Sequence, residues 1–528
     1  YEIVPYYGNK VSEIYFKPGA TLMNQHFLTY DTARVEFTLA KSTPYWMASP
    51  LKAVYAGDMY APIGNGKQET PAFNYITFDY GTNGTDGTNH RWELPFYQKA
   101  WDKAVAYVNS GDAHNKDNAI DVTAVKSNWS IEYNDVWVPY DIGKGYYMRV
   151  ESDDTNISNV TVRLPKADKE YKYQATKAAN NLSQIGSRDL AGELAGKSGI
   201  ADITIALSVM DGDDKHFLVG NPYMTYLNMG VFLSENKDVL EPKYWILENG
   251  ASKAVVGTPD VPFGNEYNVG TVKPMQAFFV ELKSGVEDAN KKVVFSSTMM
   301  SAAEINAGKE AATKSASAIN PVLTITAECG DAKSIADLYT SDKAENAYKA
   351  SEDAVVLLDS ELDAPVAYSV AGNRAAQVNA VRSIDNIPVG VYNSRKGDVT
   401  VTIEGIDQLA EPLYLYDAYT RKSTLLEGDS HTLEISGESH GRYYLRSSAI
   451  GSVGDNAIAI YSVQSGKVIV SSTQEVRNIK VYSLSGAMVK NYMNLNTTQY
   501  TFNLSAGVYV VHAEGKDGTV KVEKVIVR

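Results

Sequence analysis

Apolar positions along this chain recur mostly with a period of two. Ile203-Thr204-Ile205-Ala206-Leu207 alternates apolar with small or polar residues, and Asp211-Gly212 offers a hairpin turn before His216-Phe217-Leu218-Val219. Val399-Thr400-Val401-Thr402-Ile403 alternates in the same way, and Leu413-Tyr414-Leu415-Tyr416 follows a break at Pro412. Helical period is scarce. Residues 226–236 carry Leu227, Val231 and Phe232 on one stripe, which predicts a short helix. Residues 96–108 fit a helix by period, yet their Tyr, Trp and Val leave helix and strand both open. Short apolar runs separated by Gly, Asn and Asp predict an all-β chain of tandem antiparallel β-sandwiches, jelly-roll or Ig-like, and not βαβ units. No fixed period signals a solenoid or propeller.

Two composition shifts divide the pattern. Residues 301–320 are rich in Ala, Lys, Glu and Ser and lack aromatics, as a linker or a solvated helical spacer would. Residues 448–456 are small and Gly/Ser-rich. The division is therefore a large N-terminal β region at 1–300, a linker at 301–320, a middle β-sandwich at 321–447, a linker at 448–456, and a C-terminal module at 457–528. The length of 528 residues agrees with three or more domains at roughly 100–200 residues each.

Composition narrows the setting. With 49 basic and 63 acidic side chains the net charge is −14, and no Lys/Arg block is present, which argues against a nucleic-acid or anionic-membrane partner. No apolar stretch approaches the roughly 18 residues of a membrane-spanning helix. The opening Tyr-Glu-Ile-Val-Pro-Tyr-Tyr has neither the basic nor the apolar region of a signal peptide. A single cysteine, Cys329, excludes an internal disulfide framework and any multi-Cys metal site. Tyr outnumbers Phe 36 to 13, an excess suited to half-exposed strands and interfaces.

The C-terminal module is the most regular part of the chain. Val468 and Val470 mark one strand, and Ile479-Lys480-Val481-Tyr482 another, closed by a turn at Ser485-Gly486. Tyr500, Phe502 and Leu504 alternate with polar residues, and Ser505-Ala506-Gly507 turns into Val508-Tyr509-Val510-Val511. Asp517-Gly518 signals a hairpin. Apolar parity then shifts between Val522 and Val525, which predicts a bulge or bend at Glu523-Lys524.

Three blocks of this module carry a resemblance: residues 479–486 (IKVYSLSG), 504–511 (LSAGVYVV) and 522–528 (VEKVIVR). In this order they closely resemble the C-terminal sorting domain of the type IX (Por) secretion system of Bacteroidetes. The resemblance marks Gly486, Gly507, Tyr509, Lys524, Val525 and Val527 as sorting-signal positions. It implies passage through the outer membrane, recognition by a shuttle barrel, and removal of the domain by a sortase that attaches the cargo to the surface. Residues 45–51 (YWMASPL), 143–146 (GKGY), 218–223 (LVGNPY), 274–280 (PMQAFFV), 387–392 (IPVGVY) and 413–418 (LYLYDA) resemble, in order, segments of large Bacteroidetes surface proteins. They imply fold more than chemistry, with residues 28–300 as one all-β domain closed by sequence-distant strands.

Candidate chemistry is sparse. Gly437-Glu438-Ser439-His440-Gly441 matches the G-x-S-x-G elbow, but Arg442-Tyr443-Tyr444-Leu445-Arg446 alternates like a strand where a helix is needed, so a hairpin loop is expected. The seven histidines never form H-x-x-x-H. Residues 211–214 (DGDD), and 79–89 with Asn83 and Asp86, carry oxygen ligands of the kind calcium takes, but neither fits the EF-hand register and solvated turns are the simpler reading. Trp129, Tyr133 and Trp137 form a candidate platform for stacking on sugar rings, with core aromatics as the alternative. Asp31-Thr32-Ala33 fits the acceptor pattern of Bacteroidetes O-glycosylation, making Thr32 a candidate glycan site. No catalytic residue, metal ligand or cofactor is assigned. The expected function is a non-enzymatic, structural or adhesin-like protein on the outer-membrane surface. Its partners would be the type IX shuttle and sortase, and itself or surface glycans; the alternative is a glycan-binding module of a larger surface protein or hydrolase.

Overall fold

The computed structural model describes residues 11–23, 30–40, 43–52, 142–149, 158–164, 193–194, 203–207, 216–248, 250–257, 269–304, 321–345, 347–357, 364–372, 374–395, 397–417, 420, 422–449, 458–462 and 466–527. The fold is all-β, with one α-helix, Met229–Glu235, among these residues. Asn228 caps it by accepting from the Val231 amide at 3.2 Å. Helix formation thus begins three residues into the predicted window, after a short strand, Tyr226–Asn228. Phe232 and Leu233 anchor the helix in the core.

Strands of the N-terminal region pair across long sequence distances. Tyr30–Ala40 lies between Val11–Phe16, in parallel, and Asn159–Leu164, in antiparallel register. Pro44–Ala48 pairs with Gly145–Arg149. A four-stranded sheet runs in the order Ala251–Val256, Leu240–Glu248, Ala277–Leu282, His216–Gly220. The hairpin expected around Asp211-Gly212 is replaced by a different pairing. Ile203–Ala206 joins Lys292–Phe295, while His216–Gly220 joins Ala277–Leu282. The alternation that predicted the strands is real, since Ile203 and Ile205 are buried and Thr204 and Ala206 exposed. Alternation fixes a face, not a neighbour.

The middle strands form a continuous hydrogen-bonded path. It runs Lys422–Leu426, Leu413–Asp417, Ser439–Arg446, Ile387–Asn393, Pro365–Ala371, Arg374–Val381, Ala332–Thr340, Leu323–Cys329, Asp398–Glu404, Ser430–Ser436. Its two ends close over one core, because Leu323, Val399 and Val401 share a cluster with Val389, Leu413 and Leu445. The strands flanking Gly437 do not pair with each other. Ser430–Ser436 joins Asp398–Glu404, and Ser439–Arg446 joins Ile387–Asn393 and Leu413–Asp417. Gly437-Glu438 is therefore a crossing between the two ends of the path and not a hairpin loop. A strand follows it in place of the helix that a nucleophile elbow requires.

The units share buried surface. Ala354, Val355 and Val378 pack into the same cluster as Phe217, Trp245 and Phe279. The Trp245 indole N–H donates to Val355 O at 3.0 Å, and Gln377 both donates to Ser252 O and accepts from the Ala254 amide.

Candidate functional site

The C-terminal module is built on two long strands, Lys467–Ser483 and Met488–Asn503, paired with each other along most of their length. The first half of Lys467–Ser483 pairs with Ile458–Ser462, and its second half with Gly507–Gly515, which in turn pairs with Val520–Val527. Register shifts after Ser471 mark the bend between the halves. Ile460, Val470, Ile479, Val481, Val511, Val525 and Val527 fill the core between them.

The sorting-signal positions divide by role. Val525 and Val527 are core residues, fully or nearly fully buried. Tyr509 packs on the rim of that core. Gly507 lets the chain pass that ring, because an added Cβ would sit 3.3 Å from Tyr509. Gly486 closes the hairpin after Ser483 with φ +83°, a left-handed conformation that costs a side chain roughly 1 kcal/mol. Its amide donates to Ser483 O at 2.9 Å. Lys524 is exposed. The predicted bulge at Glu523-Lys524 is absent: the register with Gly507–Gly515 is unbroken from Val527 to Val520. Parity shifts because the inward face ends at Val525, while Val520 and Val522 stand outward, each about half exposed at 50% and 52%.

That outward face is mixed. Across the four strands the rows read Val520, Glu514, Asn478, Met493; then Val522, His512, Lys480, Asn491; then Lys524, Val510, Tyr482, Met488. Met488 and Met493 are also exposed. Its exposed apolar groups stand among both basic (Lys480, Lys524) and acidic (Glu514) side chains.

The body's perturbed ionisable groups sit elsewhere. Lys243 Nζ lies 2.6 Å from Glu281 Oε2 and donates to Asp353 O at 2.7 Å and Tyr348 Oη at 3.0 Å. His216 Nε2 approaches Glu281 at 3.6 Å. Burial alone would raise the Glu281 pKa, yet Lys243 and His216 hold it far below the usual carboxylate range. Burial pushes Asp353 up to about 6, although the amides of Lys349 and Ala380 donate to it. Lys243 is fully buried, so this cluster ties sheet to sheet and offers no surface to a solute. Among the described residues, no three His, Cys, Asp or Glu side chains gather as metal ligands, and no helix is long and apolar enough to cross a membrane.

Thr32 lies in the strand Tyr30–Ala40, opposite Glu13. Trp129, Tyr133, Trp137, both acidic loops and residues 96–108 fall outside the described residues. The sequence reading missed Val520 and Val522 as surface residues, and missed Lys243, Glu281 and His216 as a cluster. It also missed Ile469 and Tyr461, whose signal was legible: 458–461 and 468–470 are unbroken apolar runs, as strands buried on both faces show.

No curated protein matches the chain. Residues 464–528 match the family model of the secretion system C-terminal sorting domain. The matched stretch is the module just described without its first strand, Ile458–Ser462, and it marks the chain as an exported cargo of the type IX secretion system, cell-surface or extracellular in its destination.

Proposed function

We propose that the chain is a non-enzymatic structural or adhesin-like component of the outer-membrane surface. Its tail is read by the shuttle barrel through the outward sheet face around Val522 and Val510, and a sortase then removes the tail between residues 447 and 458. The observation that supports a structural body is continuity of buried packing. The sheet of Leu240–Glu248 shares its core with Val355 and Val378, and the middle strands share another with Tyr461 and Ile469. The displaced ionisable groups are spent inside these contacts. Thr32 is the proposed glycan acceptor.

The test is the protein recovered from its native cell surface, with intact mass, sedimentation and a glycan array run on one preparation. Self-association, a C-terminus near residue 450, and extra mass lost on Thr32→Ala support the reading. A monomer that binds glycans, with binding lost on Trp129→Ala or Trp137→Ala, replaces it with the glycan-binding alternative. Hydrolysis of a surface polysaccharide would end the non-enzymatic reading.

A further inference from the structure

The strands of the sorting module nearest the body have two apolar faces. In Ile458–Ser462, Ile458 and Ile460 enter the module's own core, while Ala459 and Tyr461 face the other way. Along Lys467–Ser483, Val468 and Val470 are inward and Ile469 is outward. The body answers in kind. Pro365–Ala371 is buried at every position, with Ala367 in the middle core and Val366, Tyr368 and Val370 on the opposite face. Val356, Val366, Tyr368 and Val370 form one buried cluster with Tyr461 and Ile469. Polar contacts ring it. The hydroxyls of Tyr444 and Ser471 are hydrogen-bonded, Lys467 meets Glu438 at 3.2 Å, and Arg374 pairs with Ser462 in a parallel bridge.

We infer that this face of the middle domain is a receptor for the sorting module as a separate polypeptide, so that cutting the connection between residues 447 and 458 leaves the tail bound. The partner is defined by chemistry: a two-stranded ribbon presenting Tyr461 and Ile469 to a Tyr/Val-lined sheet. Two observations carry the claim. Each piece has its own core, so neither needs the connecting chain to stay folded. The shared cluster is buried and largely apolar, so it does not depend on the tether or on the exposed Lys467–Glu438 ion pair. The docked tail keeps its other sheet free, with Val520, Val522, Met488 and Met493 outward. Recognition can therefore precede undocking, and tail release becomes a step distinct from peptide cleavage. That biological meaning rests on the processing proposed above; the contact itself does not.

The experiment introduces a specific protease site at residues 452–455 of the full chain, cuts the folded protein in vitro, and follows both fragments by size-exclusion chromatography. The expected result is co-elution at micromolar concentration, unchanged in 1 M NaCl. Fragments that separate with their β circular dichroism intact overturn the inference. Ile469→Asp on the tail and Val370→Asp on the body, each purified uncut and folded, should separate on cutting. If both stay docked, the assigned face is wrong. Because an added protease makes the cut, absence of processing in cells would sink the sortase reading and leave this result untouched.

Discussion

At the scale of single residues, Lys243 and Glu281 make the sharpest case. Two charges removed from water are tolerated because each satisfies the other, and because Lys243 also reaches Asp353 O and Tyr348. Glu281→Gln strands the ammonium and is expected to cost about 3–5 kcal/mol in denaturant unfolding. Lys243→Met added to it should recover most of that loss, as a double-mutant cycle would measure. Asp353 supplies a pH signature. Its folded pKa of about 6 lies above the ordinary value of 3.8, so the folded state binds the extra proton and stability falls as pH rises from about 4 to 6. The lost stability is on the order of 3 kcal/mol. Glu281 runs the opposite way, its contribution being present above the ordinary carboxylate pKa and lost in acid. Urea unfolding of Asp353→Asn and wild type at pH 4.5 and 7 separates the two. The variant should lose the part of the slope that Asp353 causes, and an unchanged slope would show that Asp353 does not titrate there. None of this was legible in the sequence. Lys243 and Asp353 are 110 residues apart, and His216 reads only as the first residue of a strand.

Individual strands were far more legible, and their errors share one cause. Period two assigned faces correctly at Ile203–Ala206 and Asp398–Glu404, where the buried positions are those the alternation names. What it does not contain is the partner, so the hairpins expected around residues 211 and 437 became pairings with distant strands. In Val520–Val527 a shift of apolar parity implies a bulge or bend only if every valine points inward, and Val520 and Val522 stand outward. The outward valines predict a contrast. Val522→Thr should change unfolding by less than about 0.5 kcal/mol, as surface changes do, whereas Val525→Thr buries a hydroxyl in the core and should cost about 1–3 kcal/mol. Export should reverse the order. Val522→Asp is expected to fold normally and to accumulate unexported, which a cell-fractionation blot would show; normal export would remove that face as the recognition surface. Gly486→Ala tests the turn alone, with an expected loss near 1 kcal/mol from the left-handed φ of +83°.

At the scale of the whole molecule, the question is whether the sequence's boundaries are also boundaries of stability. Residues 301–320 and 448–456 stand out by composition, yet the buried contacts do not respect them. Ala354, Val355 and Val378 belong to the cluster of Phe217 and Trp245, and Tyr461 and Ile469 to the cluster of Tyr368. A composition shift is visible in the sequence because composition is local; docking is not, because it depends on which apolar faces meet. The energetic consequence is coupling: an element that seals its neighbour's core cannot unfold without exposing it. Calorimetry should therefore show residues 203–300 and 321–446 melting within one shared transition. Val355→Asp places a charge in that common core and should split the transition, with the N-terminal sheet melting first because it loses the seal over Trp245. Truncation after residue 449 provides the complementary test. It uncovers Val366, Tyr368 and Val370 together, so the shortened chain should bind an apolar dye and melt several degrees lower than the full chain. A truncated chain that melts like the original and binds no dye would show that the body is complete without its tail, and that the Tyr-lined face is stable in water on its own.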